Sequence, residues 1–230
     1  MIEQLNSPLF GICLTIIAYI IGLEIYKKFK VPILNPILIA LIIIIPILLY
    51  FKIPVETYKK GGDLISFFLG PATVVLAVPL YKKIDLLKQH FVPILGGVVV
   101  GVLSSILSCV LIGKVLGLDL SLIKSSLPKS LTTPIAIELS KQVEGIVPIT
   151  IVMVMITGIT GAVLAPFICK IFKIENKIAK GIASGTASHA VCTSRAIEMG
   201  EIEGAMSGLA IGVAGILTVF ILPILYVVLF

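Results

Sequence analysis

The chain has 230 residues, of which 58% are hydrophobic and only 13% are charged, and its mean hydropathy is +1.19. A soluble domain of this size could not bury so much apolar surface, because its exterior must carry polar groups. The composition therefore excludes a soluble globular protein and predicts an integral membrane protein. The net charge of +6 comes from lysines in short segments beside apolar runs, which is usual for membrane helices, so no nucleic-acid partner is predicted.

Five apolar runs are long enough to cross a bilayer, which takes about 20 residues. In chain order they are residues 8–26, 31–51, 91–113, 146–172 and 204–230. Asn35, Pro36 and Pro46 are expected to bend or break the second run. The first residues lack the basic stretch of a secretory signal, so no cleaved signal peptide is expected.

Between these runs lie three shorter segments that are rich in Gly, Pro, Ser and Thr: 61–83, 121–141 and 178–200. Helix breaks are predicted at Gly70–Pro71 in the first, and at Leu127–Pro128 and Thr133–Pro134 in the second. Each unpaired backbone group in hydrocarbon costs several kcal/mol, so such breaks persist only where protein or a water-filled cavity satisfies them. A single break would be an ordinary proline kink, but three interrupted segments predict a central cavity.

The two later interrupted segments share a short pattern. TTPIAIELS (132–140) resembles TSRAIEMG (193–200), and each is followed by Glu-Gly and then by a long apolar helix. Repeated units are frequent in secondary transporters. Short matches also arise by chance in membrane sequences of low diversity, so the pattern is only suggestive of a repeat.

Ionisable side chains in these segments are candidate functional groups, because a charge within the membrane costs about 3 kcal/mol on insertion scales. His189 is either a packing histidine bonded to a helix carbonyl or a polar, proton-carrying group, and its hydroxyl-rich neighbours favour the second. Arg195 is an interfacial anchor whose side chain reaches the headgroups, a partner of Glu198 at i+3, or an anion-binding group, and the last two are favoured equally. Lys129 is predicted to place a cation beside the end of a half-helix.

Together with free backbone N–H groups at helix breaks, these cations favour a small hydroxylated carboxylate as ligand. The predicted substrate-binding residues are Pro71, Thr73, Lys129, Ser130, Thr132, Thr133, Ser188, His189, Thr193 and Arg195. The candidates for ion coupling are His189, Glu138 and Glu198.

Several kinds of site are not expected. Two histidines and no clustered carboxylates predict no metal site, and no cofactor is expected. Nucleophile-elbow and HExxH motifs are missing, so an enzyme is not predicted. The four cysteines stand singly in apolar surroundings and are expected to pack as small hydrophobic residues: Cys13, Cys109, Cys169 and Cys192.

Three blocks resemble the LrgB/CidB family of antiholin-like bacterial membrane proteins: LGPATVVLAVPLYKK (69–83), LPKSLTTPIAIELS (127–140) and GIASGTASHAVCTSRAIEMGEIEGAMSGLA (181–210). The resemblance implies two descriptions of function. In one, the protein regulates a smaller holin-like partner of the LrgA/CidA type, and thereby murein hydrolase export and autolysis. In the other, suggested by plastidial relatives that carry glycolate and glycerate, it transports short carboxylates.

The predicted fold is an all-α polytopic membrane protein with about seven or eight embedded segments, in which interrupted or re-entrant helices form a central site. It is expected to be one transmembrane domain over 1–230, with scaffold helices in 1–56 and a polar core in 57–230. The predicted function is secondary transport of glycolate-, glycerate-, pyruvate- or lactate-like anions, with proton coupling as an option. The alternative is an antiholin-like regulator. A multi-pass protein of the cell membrane, forming a homodimer and working with an LrgA/CidA-like partner, is expected.

Overall fold

The computed structural model describes residues 7–29, 31, 34, 36–68, 71, 81, 84–89 and 91–230. All elements in these residues are helical, which confirms the all-α prediction. The chain forms two compact units, residues 1–73 and 74–230.

The first unit contains helices α1 (Pro8–Phe29), α2 (Pro36–Tyr50) and α3 (Val55–Phe67). Helix α1 packs against both of the others, and its Thr15 hydroxyl lies 2.8 Å from the Tyr58 hydroxyl. Residues 57–67 therefore pack with the predicted scaffold helices. The predicted break at Gly70–Pro71 lies outside the described residues except for Pro71 itself, which is exposed.

The second unit contains the remaining helices: α4 (Ile84–Gln89), α5 (Phe91–Val115), α6 (Leu120–Ser126), α7 (Thr133–Gln142), α8 (Val147–Ile171), α9 (Lys177–Met199) and α10 (Glu201–Leu229). Its core is built from branched apolar side chains of the long helices, among them Val98, Ile106, Val154 and Leu209. These side chains recur at helical spacing, so each long helix presents an apolar stripe to its neighbours.

Four of the described helices, α1, α5, α8 and α10, are long and apolar enough to cross a membrane. Helix α2 has 15 residues and so is about 22 Å long, which is shorter than the hydrocarbon core of about 30 Å. Four of the five predicted crossing runs thus form helices of sufficient length. This indicates a multi-pass membrane protein, while the number of seven or eight embedded segments stays a prediction.

Helices α6 and α7 form a hairpin, here called the first hairpin, with residues 127–132 as its tip. Helix α6 runs back along α5, since the Cys109 thiol contacts the Ser126 carbonyl at 3.6 Å and the Ser105 hydroxyl lies 2.9 Å from that of Ser130. The hairpin therefore enters the bundle beside the C-terminal end of α5 and reaches the middle of that helix.

The returning arm of the first hairpin is held by buried hydroxyl groups. Ser140 Oγ lies 2.7 Å from Thr150 Oγ1, and Thr150 Oγ1 donates to the Ser125 carbonyl at 2.8 Å. Helix α7 begins at Thr133 with Pro134 in its first turn, a position where proline costs no hydrogen bond. The second break predicted for this segment is thus the start of α7, and one turn separates the two arms.

The segment of α9 consists of two helical arms, here called the second hairpin. They are joined where the backbone leaves helical geometry, at Ser188 (φ −145°, ψ 25°) and His189 (φ 45°, ψ −145°). In the first arm, a Cβ on Gly185 would meet Ala210 of α10 at 3.0 Å. In the second arm, Ile197 packs against Gly204, which lies earlier in α10. The chain thus runs along α10 before the turn and back along it afterwards.

The two hairpins enter the bundle from opposite ends, and their tips meet beside the middle of α5. On the second hairpin, Ile182 lies against Gly97 and Thr186 against Gly101, while on the first hairpin Ser130 is bonded to Ser105. Gly101 and Ser105 are four residues apart on one helix, a rise of about 6 Å. The similar segments 132–140 and 193–200 form the returning arms of the two hairpins, so the short pattern has equivalent positions in both.

An ion pair ties the first hairpin to the C-terminal part of α10. Lys124 Nζ lies 2.7 Å from Glu144 Oε2, to which the Tyr226 hydroxyl also donates at 3.3 Å. The hydrogen bond and charge of Lys124 hold the pKa of the Glu144 carboxyl below its usual value of 4.5. A lowered pKa means that the carboxylate stabilises the fold above about pH 4.5 and that this contribution is lost as the pH falls through the lowered pKa.

Replacing Glu144 by glutamine is accordingly expected to lower the Tm of the detergent-solubilised protein by a small amount, because the Glu144 side chain is 75% exposed and solvent screens the ion pair. The difference from the unaltered protein should be constant at neutral pH and vanish in acid. Thermal unfolding from pH 3 to pH 8 measures it, with Glu175→Gln, an exposed glutamate between α8 and α9, as the matched control. A difference that persists unchanged at pH 3 would contradict the ionic origin.

Candidate functional site

A cavity of about 940 Å³ opens between α5, the first arm of the second hairpin and the tip of the first hairpin. This volume is within the range of small-molecule pockets. Its wall on the α5 side combines Pro93 and Val100 with small residues at helical spacing: Gly97, Gly101, Ser104, Ser105 and Ser108. The opposite wall contains Ile178, Ala179, Ile182, Ala183, Thr186 and Ala187, with Asn176 just before α9, and the tip of the first hairpin adds Lys129 and Ser130.

Lys129 is the cationic group of this cavity. Its ammonium donates to Ser105 Oγ at 3.1 Å and to Ser130 Oγ at 3.4 Å, and these two hydroxyls are themselves 2.9 Å apart. Among the residues that the structure describes, no carboxylate lies within ion-pair distance of Lys129. The cavity therefore presents, beside the middle of α5, one positive charge without a carboxylate partner and the two hydroxyl groups bonded to it.

Thr186 of the second hairpin provides a further hydroxyl group near Ser105 and Ser130. The residue is 5% exposed, and its Oγ1 is buried without a hydrogen-bond partner. It also lines a small void of about 10 Å³ between the two hairpin tips, which it shares with Ser105 and Ser130. Buried hydroxyls are rarely left unpaired, because the missing bond costs about 1–3 kcal/mol.

The turn of the second hairpin packs against Gly158 and Gly161 of α8. His189 Nε2 lies 2.9 Å from the Val154 carbonyl oxygen, and a Cβ on Gly158 would come within 2.7 Å of the imidazole. A Cβ on Gly161 would overlap the Ser188 side chain. Both side chains are buried between helices and do not line the 940 Å³ cavity. The His189 contact is the one expected of a packing histidine, and its proton-carrying role stays a prediction.

The predicted charged residues other than Lys129 are paired with neighbours on their own helix. Arg195 Nη1 lies 2.5 Å from Glu198 Oε2, the i+3 pairing that was one of the three interpretations of this arginine. Glu138 is exposed and pairs with Lys141 at 2.7 Å. These residues do not line the cavity, so anion binding by Arg195 and ion coupling by either glutamate remain predictions.

The remaining predicted residues are dispersed. Thr132 is buried at the tip of the first hairpin with an unpartnered Oγ1, and Thr133 opens α7. Thr193 Oγ1 is 2.7 Å from Ser207 Oγ, which joins the second hairpin to α10. Pro71 belongs to the other compact unit, and Thr73 lies outside the described residues.

The contribution of α5 to the cavity was not predicted: its sequence indicated an apolar crossing helix in which Gly97 and Gly101 permit the close approach of another helix. Gly97, Gly101, Ser104 and Ser108 follow one another at spacings of four, three and four residues. That spacing places them on one helical face, and a face of small and hydroxyl residues was the available signal. In the described part of the chain, no group of three or more His, Cys, Asp or Glu side chains is placed to hold a metal ion.

Comparison with known proteins identifies the family. The model of the LrgB-like family matches residues 15–228. The chain is 41% identical over 222 residues to the uncharacterized protein YxaC of Bacillus subtilis (strain 168), with 96% of each chain covered. It is also 39% identical over 218 residues to the antiholin-like protein LrgB of Bacillus mycoides (strain KBAB4), and equally to that of Bacillus cereus (strain B4264), covering 94% of this chain and 95% of each relative. No solved structure matches the chain.

The family match includes both hairpins and the three long helices around them. It agrees with the resemblance carried by the blocks at 69–83, 127–140 and 181–210. The chain belongs to the LrgB-like family.

Proposed function

We propose that this protein carries small organic anions across the cell membrane, with the binding site between the two hairpin tips. The observation that carries the proposal is the Lys129 ammonium, which lies in the 940 Å³ cavity without a carboxylate partner among the described residues. A positive charge at membrane depth is costly and marks a functional site by default. The group best suited to compensate it is an anionic ligand.

The surroundings of Lys129 favour a small, singly charged, hydrogen-bonding anion. One ammonium compensates one negative charge, and the Ser105 and Ser130 hydroxyls can donate to the oxygens of a carboxylate. Glycine and alanine in both walls leave room for such an anion beside the apolar side chains of Val100, Ile178 and Ile182. Glycolate, glycerate, lactate and pyruvate have this chemistry.

The arrangement of the hairpins supports transport across the bundle. Half-helices that end at the midplane, entering from opposite ends, are a common construction of secondary transporters. Here each tip contributes to the cavity, Lys129 and Ser130 from the first hairpin and Thr186 from the second. Movement of either hairpin would open the cavity toward a different end of the bundle.

The test is uptake of labelled lactate, glycolate and pyruvate into proteoliposomes that contain this chain alone, with and without a pH gradient. Saturable uptake above that of empty liposomes is expected, and stimulation by an inward proton gradient would establish proton coupling. If the protein is monodisperse and folded but gives no uptake of any of the three anions, transport of these anions by this chain alone is excluded.

A second candidate is the antiholin-like regulator, favoured by 39% identity to the antiholin-like LrgB proteins of Bacillus mycoides and Bacillus cereus. In this proposal the chain binds a smaller holin-like membrane partner of the LrgA/CidA type and thereby limits murein hydrolase export and autolysis. The two candidates predict different sensitive residues. A regulator should tolerate neutral substitutions at Lys129 and depend on lipid-facing helix surfaces, whereas a transporter should lose activity when the cavity is changed. Autolysis assays on cells that carry the Lys129→Met variant separate the two.

A further inference from the structure

We propose that Thr186 is a specificity-determining residue of the cavity, and that it selects carboxylates with an oxygen on the carbon next to the carboxylate. This inference rests on the proposed transport function and goes beyond it, because it assigns the second polar group of the ligand to the second hairpin. Lys129 on one tip would hold the carboxylate, and Thr186 on the other tip would hold the adjacent hydroxyl or oxo group.

The first observation is the unsatisfied hydroxyl of Thr186. Its Oγ1 is buried and has no partner, whereas the hydroxyls of Ser184 and Thr193 in the same hairpin both donate to backbone carbonyls of the preceding turn. A threonine within a helix ordinarily forms that bond. Thr186 is therefore free to bond a group outside its own helix.

The second observation is where this hydroxyl lies. The void of about 10 Å³ that Thr186 lines is also lined by Ser105 and Ser130, the two residues bonded to Lys129. Aliphatic side chains, among them Val102 and Leu131, complete its lining. Such a volume admits about one water-sized polar group. Ser105, Ser130 and Thr186 also line the large cavity. A carboxylate at Lys129 thus lies next to a small void, lined by the hydroxyl-bearing residues Ser105, Ser130 and Thr186 together with aliphatic side chains, that fits one further oxygen atom.

The third observation is the packing that fixes Thr186 in place. Its Cγ2 is turned toward Gly101, where an added Cβ would approach to 2.6 Å. With the methyl group against α5, the hydroxyl is directed away from that glycine. The hydroxyl can donate to an oxo group or accept from a hydroxyl group, so both kinds of substituent are accommodated.

The experiment compares lactate with propionate, which differ only in the hydroxyl group on the second carbon. Uptake into proteoliposomes and the thermal shift of the solubilised protein are measured for the unaltered chain, Thr186→Val and Thr186→Ser. The unaltered chain is expected to prefer lactate about ten-fold, the size of one good hydrogen bond. Thr186→Val should lower lactate binding to the level of propionate and leave propionate unchanged, while Thr186→Ser should keep the preference.

Thr160→Val on an exposed position of α8 is the matched control and should keep the preference. The inference is overturned if Thr186→Val still prefers lactate, if it loses both anions together, or if the unaltered chain binds both equally. The last of these outcomes would leave anion transport itself intact. No uptake and no thermal shift with either anion in the unaltered chain would instead overturn the proposed function, and this inference with it.

Discussion

Replacing Gly161 by alanine is expected to destabilise the second hairpin and to lower the Tm of the solubilised protein substantially. An added Cβ would overlap both Oγ and Cβ of Ser188 at the hairpin turn. Overpacking of this kind costs about 1–3 kcal/mol. Within a helix, the exchange of glycine for alanine would by itself stabilise by about 1 kcal/mol, so a net loss can only come from the contact with Ser188.

Gly96 provides the matched control for this substitution. It lies in α5, also within a long apolar helix, and an added Cβ there would meet no atom within 4 Å. Gly96→Ala is therefore expected to leave the Tm unchanged or to raise it slightly. Thermal unfolding of the two variants is measured in the same detergent. Gly96→Ala reports the effect of helix propensity alone, and Gly161→Ala reports helix propensity together with the steric overlap with Ser188.

A second substitution should restore the stability that Gly161→Ala removes. Ser188→Gly deletes the side chain that the new methyl group would overlap, so the double variant is expected to recover most of the lost stability. If the changes in Tm of the two single variants instead simply add in the double variant, Ser188 does not pack against Gly161. The contact described between the hairpin turn and α8 would then be wrong.

The extent of the helices could be predicted from the sequence, because length and apolar composition determine it. Residues 91–113 and 146–172 were predicted as long helices, and α5 and α8 are found at Phe91–Val115 and Val147–Ile171. Proline and glycine likewise indicated where chain direction changes near Leu127–Pro128. These are local properties, and local sequence carries them.

The reversal within 178–200 and its contacts could not be read from sequence in the same way. Ser188 and His189 are neither glycine nor proline, yet His189 has φ 45°, a conformation that non-glycine residues rarely adopt. Its geometry is held by partners more than 25 residues away, Val154 and Gly158 of α8. The sequence indicated His189 as a candidate functional residue, but it contains no signal that identifies Val154 and Gly158 as its partners.

The same limit applies to the cavity. The sequence marked Lys129 and Ser130 by their proximity to helix-breaking residues, whereas Ser105 lies in an unbroken apolar helix and carries no such mark. Only the packing of the first hairpin along α5 places these three residues together. Tertiary contact, which depends on distant segments, decides which of many serines and threonines belong to the site.

Replacing Lys129 by methionine is expected to abolish anion uptake while leaving the protein equally or more stable. Methionine keeps most of the length of the side chain and removes the charge. Loss of a charge-assisted hydrogen bond of about 1.5–3 kcal/mol corresponds to a decrease of roughly 10- to 150-fold in anion affinity. Lys129→Arg keeps the charge and should retain part of the uptake.

The matched control is Lys141→Met, which removes an exposed lysine paired with Glu138 on the same hairpin and should leave uptake unchanged. Uptake kinetics in proteoliposomes and thermal unfolding in detergent are measured on the same preparations. Unchanged uptake by Lys129→Met would exclude the ammonium as the anion-binding group and would favour the antiholin-like alternative.

The opposite signs expected for uptake and stability are what separate a binding role for Lys129 from a structural one. A lysine at membrane depth costs about 2.5–3.5 kcal/mol on insertion scales, and Ser105 and Ser130 offset only part of this cost because they are neutral. If Lys129 served the fold, its removal would lower the Tm together with uptake. If it serves the ligand, removal relieves an uncompensated charge, so the Tm is kept or raised while uptake is lost, and addition of lactate no longer stabilises the protein.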